Sequence, residues 1–411
     1  MKRQALPVQR RRLPAMRQTS AFGITAALCV VFAAYGVSMF LLGPCLTAVA
    51  KTYGVSLAAV GSLFGALAVG FLPAALAMPA IAQRLGRKAT LAAGLAVVAV
   101  AMALFAVAPE IGPRPRFGFA VAAMAIMGVG AASIEVMANA IASDANPGRQ
   151  AFVLNLVHAF FSVGAVAGPW LAAVMLSRAI GWQLTYGIAA AVLALAMVAL
   201  LPQRYPEAGA GGSDPFAAFR MLRIGAVAMG LVGIILYVST EVGLSGWIPA
   251  FMEKTLHTDK PTAAASVSIL WAAMTVGRFA CTALAQRFPA ALFVVVLSTG
   301  TALASIGVAL SRSVFTCYLA AGFAGLCMSS IFAMVLADVG VHVRGRAPMA
   351  FSIVVVGVGG GMLFFPPAMG WIGQATGSLR LALGAPALLM IACAATYAVA
   401  HMRRGLKERP Y

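Results

Sequence analysis

The stretch PQRYPEAGAGGSDPFAAFR, Pro202 to Arg220, interrupts a greasy chain near its middle. Its glycines, prolines and charges suit a flexible linker. On either side run apolar segments of about 20 residues or more, the length an α-helix needs to cross a hydrocarbon core. The spans expected before it are 20–43, 57–82, 89–108, 117–143, 151–177 and 181–201. Those expected after it are 222–251, 262–286, 290–310, 313–338, 347–374 and 380–402. The linker, 202–221, therefore separates an N-terminal six-helix bundle, 20–201, from a C-terminal one, 222–402. A basic tail, 1–19, precedes them and a short tail, 403–411, follows. The expected fold class is all-α integral membrane, with twelve transmembrane helices in two six-helix bundles.

Composition points the same way. Of 411 residues, 62% are hydrophobic and 9% charged, whereas a soluble domain is about a quarter charged. The basic start runs into an apolar segment that continues past Leu41 with no convincing cleavage site, so it reads as a tail and a first span. The six cysteines all lie in or beside apolar segments and form no CxxC pair. They read as free thiols, with no disulfide framework and no metal site.

A net charge of +19 reports topology here, with no nucleic-acid partner expected, because basic residues gather on the cytoplasmic side. An even span count puts both ends on one side. With the termini inside, 20 of the 29 Lys and Arg residues are cytoplasmic and 8 are outside, leaving Arg278 within a span. The expected location is a bacterial-type inner (plasma) membrane, multi-pass, with both termini cytoplasmic.

The halves echo each other. IAQRLGRK after span 2 recurs as LAQRFPAA after span 8. Gly128 and Asp144 match Gly322 and Asp338 at one offset, and Gly164 and Pro169 match Gly361 and Pro366 at another. Repeats of six spans share one membrane orientation, which implies bundles related by an axis along the membrane normal. PAIAQRLGRK, with Arg84, Gly86, Arg87 and Lys88, resembles the loop motif of the major facilitator superfamily. It departs at Pro79, where a glycine is usual, and at Gln83, where an aspartate is usual.

Only ten acids exist. Glu110, Glu207, Asp214, Glu253, Asp259 and Glu408 read as loop residues. Asp144 and Asp338 read as cytoplasmic helix ends, each with arginines just downstream: Arg149 for the first, Arg344 or Arg346 for the second. These are expected salt bridges of an inner gate. Glu135 and Glu241 fall inside spans, where a charge is costly and faces a bundle interior or a wet cavity. Burial favours the uncharged form of a carboxylate, which lets it take up and release a proton during a cycle. Both are candidate proton-coupling residues.

Glu135 and Asn139 are i, i+4 neighbours and share a helix face. The chain turns near Asn146-Pro147 and returns with Asn155 and His158 spaced i, i+3. At about 1.5 Å per residue, Glu135 and His158 reach similar depth, with Asn139 and Asn155 in a shallower layer. GVGAASIEVMANAIASD followed by LNLVHAFFSVGAVAGP resembles spans 4 and 5 of the fucose/glucose–proton symporter branch of that superfamily. The resemblance implies sugar binding and proton coupling at Glu135 and Asn139, and solute contacts at Asn155 and His158. YVSTEVGLSGWIPAFM resembles span 7 of the same branch and adds Trp247 to Glu241. Tyr237 shares a face with Glu241, and an aromatic plate beside a carboxylate suits a sugar's apolar face. Fucose-specific members carry an aspartate in span 1. Alignment on Pro44 puts Phe40 there, which counts against fucose and leaves the N-terminal bundle without a second coupling acid.

Arg278 is a gate or salt-bridge candidate alongside Arg84, Arg87, Asp144, Arg149, Asp338 and Arg346. Its partner is open among Glu135, Glu241 and Asp338. The glycine run 357–361 lies in a span with no preceding strand, so it reads as close helix packing and not nucleotide binding. Gly164, Gly168 and Pro169 resemble part of an antiporter motif and equally suit a kinked packing helix.

The expected function is secondary active transport by alternating access: proton-coupled uptake of a sugar or other small polar solute, by a monomer, with no cofactor. Sodium stays open as the ion, and proton-antiport export of drugs or metabolites is the alternative. A non-transporting membrane sensor is a further rival. No HExxH, GxSxG or metal cluster appears, which sets an enzyme aside.

Overall fold

The computed structural model describes residues 18–111, 117–146, 149–200, 202–203, 205, 219–284, 288–343 and 347–407. Most of the linker and both tail ends lie outside them. The first half builds α1 (Gln18–Met39), α2 (Leu42–Tyr53), α3 (Leu57–Leu85), α4 (Arg87–Val107), α5 (Phe117–Ala145), α6 (Gln150–Ser177) and α7 (Trp182–Val198). The second builds α8 (Gly225–Thr255), α9 (Lys260–Leu284), α10 (Ala290–Leu310), α11 (Val314–Met328), α12 (Ile331–His342), α13 (Ala347–Leu363), α14 (Phe365–Thr376) and α15 (Leu379–Lys407). Among the described residues, eleven helical segments are long and apolar enough to cross a membrane, and α7 is a shorter apolar helix, together twelve.

Local chemistry sets the breaks. Span 1 does not end at residue 43: it breaks between Met39 and Leu42 and resumes as α2. Pro44 has no N–H for the Phe40 carbonyl, and its ring crowds that group. Span 11 breaks at Phe364 for the same reason, because Pro366 and Pro367 follow. Span 10 breaks at the pair Ser329-Ser330, a common site for helix kinks. The Ser56 side chain caps α3, and Ser313 with Thr316 forms a capping box on α11. Asp259 accepts from the Thr262 N–H at the start of α9. Hydrogen bonds from the Thr262 side chain and backbone hold this carboxyl below its usual range.

Small residues bring the helices together. A methyl group on Gly164 would meet the Ala33 carbonyl of α1, and one on Gly361 would meet the Ile235 carbonyl of α8. The two repeats thus make the same close approach. The pairing of Gly128 with Gly322 needs correction. Gly128 stands against the Leu67 carbonyl and Phe71 nitrogen of α3, and the residue placed likewise against Leu270 and Met274 of α9 is Gly325. The repeat in this span is shifted by about one helical turn, because several glycines and alanines compete for the match. Gly168 against Val37 and Gly357 against Leu231 support the packing reading of both glycine-rich stretches.

The bundles meet most closely at the end that carries the α2–α3 turn. Gly43 abuts Ser245 and Gly246, Gly61 and Gly370 abut the Trp247 indole, and Phe64 lies against Gly246. From there the contact continues inward: Ser268 donates to the Val166 carbonyl at 3.0 Å, and Gly359 abuts Phe71 and Leu72 near mid-membrane.

Candidate functional site

Near the middle of the helices, α6 of the first bundle packs against α9 of the second, with α5 beside α6 and α8 beside α9. On α5, the Asn139 amide donates to the Glu135 backbone carbonyl at 2.8 Å and to Glu135 Oε1 at 3.0 Å. These donor bonds fix which end of the amide is oxygen. That oxygen, Oδ1, lies 3.1 Å from His158 Nε2 on α6. Because an amide oxygen only accepts, Nε2 carries the proton in this arrangement. The same nitrogen is 3.9 Å from Glu135 Oε1. Glu135 and His158 thus reach similar depth, as expected, and Asn139 bridges them. The Glu135 side chain is 15% exposed and that of His158 31%, so both keep access to water. The Asn155 side chain lies outside the described residues.

Arg278 reaches this group from α9. Its guanidinium donates to the His158 carbonyl at 3.0 Å, to the Ser162 hydroxyl at 2.6 Å and, through Nε, to the Ser329 carbonyl at 3.3 Å. Ser162 in turn donates to the His158 carbonyl at 3.1 Å. On α8, the Tyr237 hydroxyl donates to Glu241 at 2.5 Å, and Arg278 interacts with both residues. Of the three candidate partners for Arg278, Glu241 is close enough for its carboxylate to feel the guanidinium charge. The result is a polar line across the bundle interface: Glu135, Asn139 and His158, then Arg278, then Tyr237 and Glu241.

Aromatic rings cover the line on the side of the closed end. Phe32 meets the His158 ring edge-on at 5.2 Å, and Tyr35 leans on Phe161 at 5.4 Å. Phe40 lies 4.3 Å from Trp271, and Phe161 lies 5.9 Å from it, so α9 closes over α1 and α6 through these rings. Trp271 is buried and its indole N–H has no hydrogen-bond partner. Trp247, expected beside Glu241, is fully buried, packs on Gly61 and Gly370, and donates its N–H to the Pro366 carbonyl at 2.9 Å. In this conformation it has no face open to a solute.

The expected gate pairs rearrange. Asp144 pairs with Arg87 of α4 and not with Arg149. The helix ends of α4 and α5 lie side by side, whereas Arg149 sits beyond the turn and is exposed. Arg84 is exposed too, and Asp338 is buried. Arg344 and Arg346 lie outside the described residues. Asp144 is 48% exposed, so the pair is expected to be weak. A double-mutant cycle of Arg87→Ala and Asp144→Ala, followed by thermal unfolding, should give a coupling of about 0.2–1 kcal/mol. A coupling several times larger would make the pair a structural clamp.

Sequence reasoning passed over Ser162, Trp271, Thr47 and Glu253. Ser162 had a signal, standing i+4 from His158. Glu253 was taken for a loop residue, because Glu253-Lys254 looks like the end of a span. It lies on α8, and Thr47 of α2 donates to it at 2.7 Å.

Two bundles of six spans around a central, hydrogen-bonded polar site define a membrane transporter that moves small molecules. The chain belongs to the Major Facilitator Superfamily, whose sequence pattern matches residues 27–348. It is a transporter and not an enzyme. A "Protein TsgA homolog" of Erwinia tasmaniensis is 26% identical over 146 residues, 35% of this chain and 36% of that protein. The match thus spans about a third of that relative's length. A Helicobacter pylori protein called "Putative glucose/galactose transporter" is 25% identical over 288 residues, 64% of this chain and 69% of that one. The E. coli fucose:proton symporter FucP has the same fold, with a TM-score of 0.66 at 19% identity, covering 92% of this chain and 99% of that one.

Proposed function

We propose that this protein takes up a sugar or another small polar solute together with protons. The two bundles rock about the central site, and the monomer is the working unit. The observation that carries the reading is the polar line between the bundles. Glu135 is hydrogen-bonded to the neutral Asn139, and Arg278 stands toward Glu241. Glu135 is therefore the carboxylate with least cationic compensation, and a proton is the cheapest way to bury it. His158 Nε2, which holds a proton of its own toward Asn139, lies 3.9 Å from Glu135 Oε1 and is placed to donate to that oxygen once the carboxyl has lost its proton. Asn139, His158 and Tyr237 offer the donors and acceptors that match hydroxyl groups.

The termini are placed in the cytoplasm of a bacterial-type inner membrane, in keeping with the distribution of Lys and Arg. The tight contacts around Gly43, Gly61 and Trp247 then seal the outer end, and the site opens inward. The named sugar-transporting relatives favour uptake of a sugar, and Phe40 in span 1 argues against fucose. Export stays the alternative.

The test uses purified protein in liposomes holding a pH-sensitive dye. Sugars and polyols are added outside, with no pH gradient imposed. The expected result is lumenal acidification with at least one sugar, absent from protein-free vesicles. Sugar flux with no proton movement would overturn the coupling. Flux confined to amphipathic cations would favour the exporter.

A further inference from the structure

Among the described residues, the outer closure contains one hydrogen bond between charged or polar side chains of opposite bundles that the transport reading does not use. Thr47 on α2 donates from its hydroxyl to Glu253 Oε2 at 2.7 Å, in the last turns of α8. The other carboxylate oxygen, Oε1, is buried and has no hydrogen-bond partner. The charges of Lys260 and Lys254 act on this carboxylate. Around it the contacts are backbone or apolar: Gly43 abuts Ser245 and Gly246, and Trp247 packs on Gly61 and Gly370. The backbones of α2 and α8 touch there, so the outer end cannot open without parting Thr47 from Glu253.

We propose that Thr47 and Glu253 form a releasable latch that holds the two bundles together at the outer end. A hydrogen bond to a carboxylate favours closure. The orphaned Oε1 opposes it by an amount of the same order, and opening returns that oxygen to water. A fully satisfied ion pair would hold the end shut too firmly for a cycle. A purely apolar contact would lack a defined registry. The half-satisfied pair sits between these, close to balance.

This rests on the alternating-access reading and on the cytoplasmic placement of the termini, but not on the proton or the solute. Cys45, two residues before Thr47, is fully buried in the closed end and lies near Glu253. It is a native reporter of opening. With Cys29, Cys281, Cys317, Cys327 and Cys393 replaced by alanine, intact cells are treated with a membrane-impermeant maleimide. Thr47→Val is expected to raise the labelling rate of Cys45 about tenfold, the shift that follows from losing one hydrogen bond to a charged group. Thr47→Ser keeps the hydroxyl and should label at the parent rate, and Thr47→Val with Glu253→Ala should label no faster than the faster single variant. Equal, finite labelling in all variants overturns the latch and leaves alternating access standing. Labelling absent from every variant and the parent overturns both. Loss of the Thr47→Val protein from the membrane also overturns the latch, because a contact broken in every cycle is not needed for folding.

Discussion

Glu135→Gln is expected to abolish uphill accumulation of the solute while leaving exchange across the membrane. The glutamine keeps the shape and can still accept from the Asn139 amide, which now bonds Glu135 Oε1 at 3.0 Å. What it loses is the ability to exist with and without a proton. With one proton moving per solute, a gradient of about two pH units supports about a hundredfold accumulation. In the variant the ratio should fall to about one, its value without coupling. Counterflow of labelled solute should persist at a reduced rate, because no net proton movement is required. Both are read with radiolabelled solute in liposomes. Accumulation that survives the substitution would move the coupling to Glu241 or His158.

Arg278→Met is expected to cost more stability than any other single change at the site. The guanidinium joins α9 to the His158 carbonyl and Ser162 hydroxyl of α6, and it stands toward Tyr237 and Glu241 of α8. Its removal strands the Glu241 charge and takes a donor from the Ser162 hydroxyl and the Ser329 carbonyl, while the His158 carbonyl keeps the Ser162 donor. Breaking a buried pair from one side costs about 3–5 kcal/mol. The lower end applies here, because Glu241 is only partly buried. The double variant Arg278→Met with Glu241→Gln should recover much of the loss, since no charge is then left behind. Thermal unfolding of the detergent-solubilised protein reads both. A double variant no more stable than Arg278→Met would show that Arg278 acts through the α6 contacts alone.

The site was half legible in the chain. Glu135 with Asn139, and His158 on the returning helix, could be found because helical spacing is local and the turn at Asn146-Pro147 sets their relative depth. Tyr237 with Glu241 followed from the same i, i+4 rule, and the two form a hydrogen bond. Trp247, six residues beyond Glu241, was named only through the resemblance of its span, and its ring serves the contact between bundles. Asp144 was paired with a nearby arginine in sequence, when the neighbour in space is Arg87 at the head of the preceding helix. Glu253 was misplaced because a span's end is blurred by a turn or so when charges and Pro249 fall near it.

The sequence by itself determined the membrane class, the twelve spans and the polar faces of α5, α6 and α8. Each is a property of composition or of spacing along one helix. Only the tertiary structure decided what Arg278 touches, that Phe40 and Trp271 roof the site, and that Thr47 meets Glu253. Those contacts join helices from different bundles. Their register depends on the rigid-body fit of one bundle on the other, which is set where Gly43 meets the Ser245–Gly246 backbone, Gly370 the Ala58 backbone and Gly61 the Trp247 ring. Periodicity within a single helix carries no information about that fit.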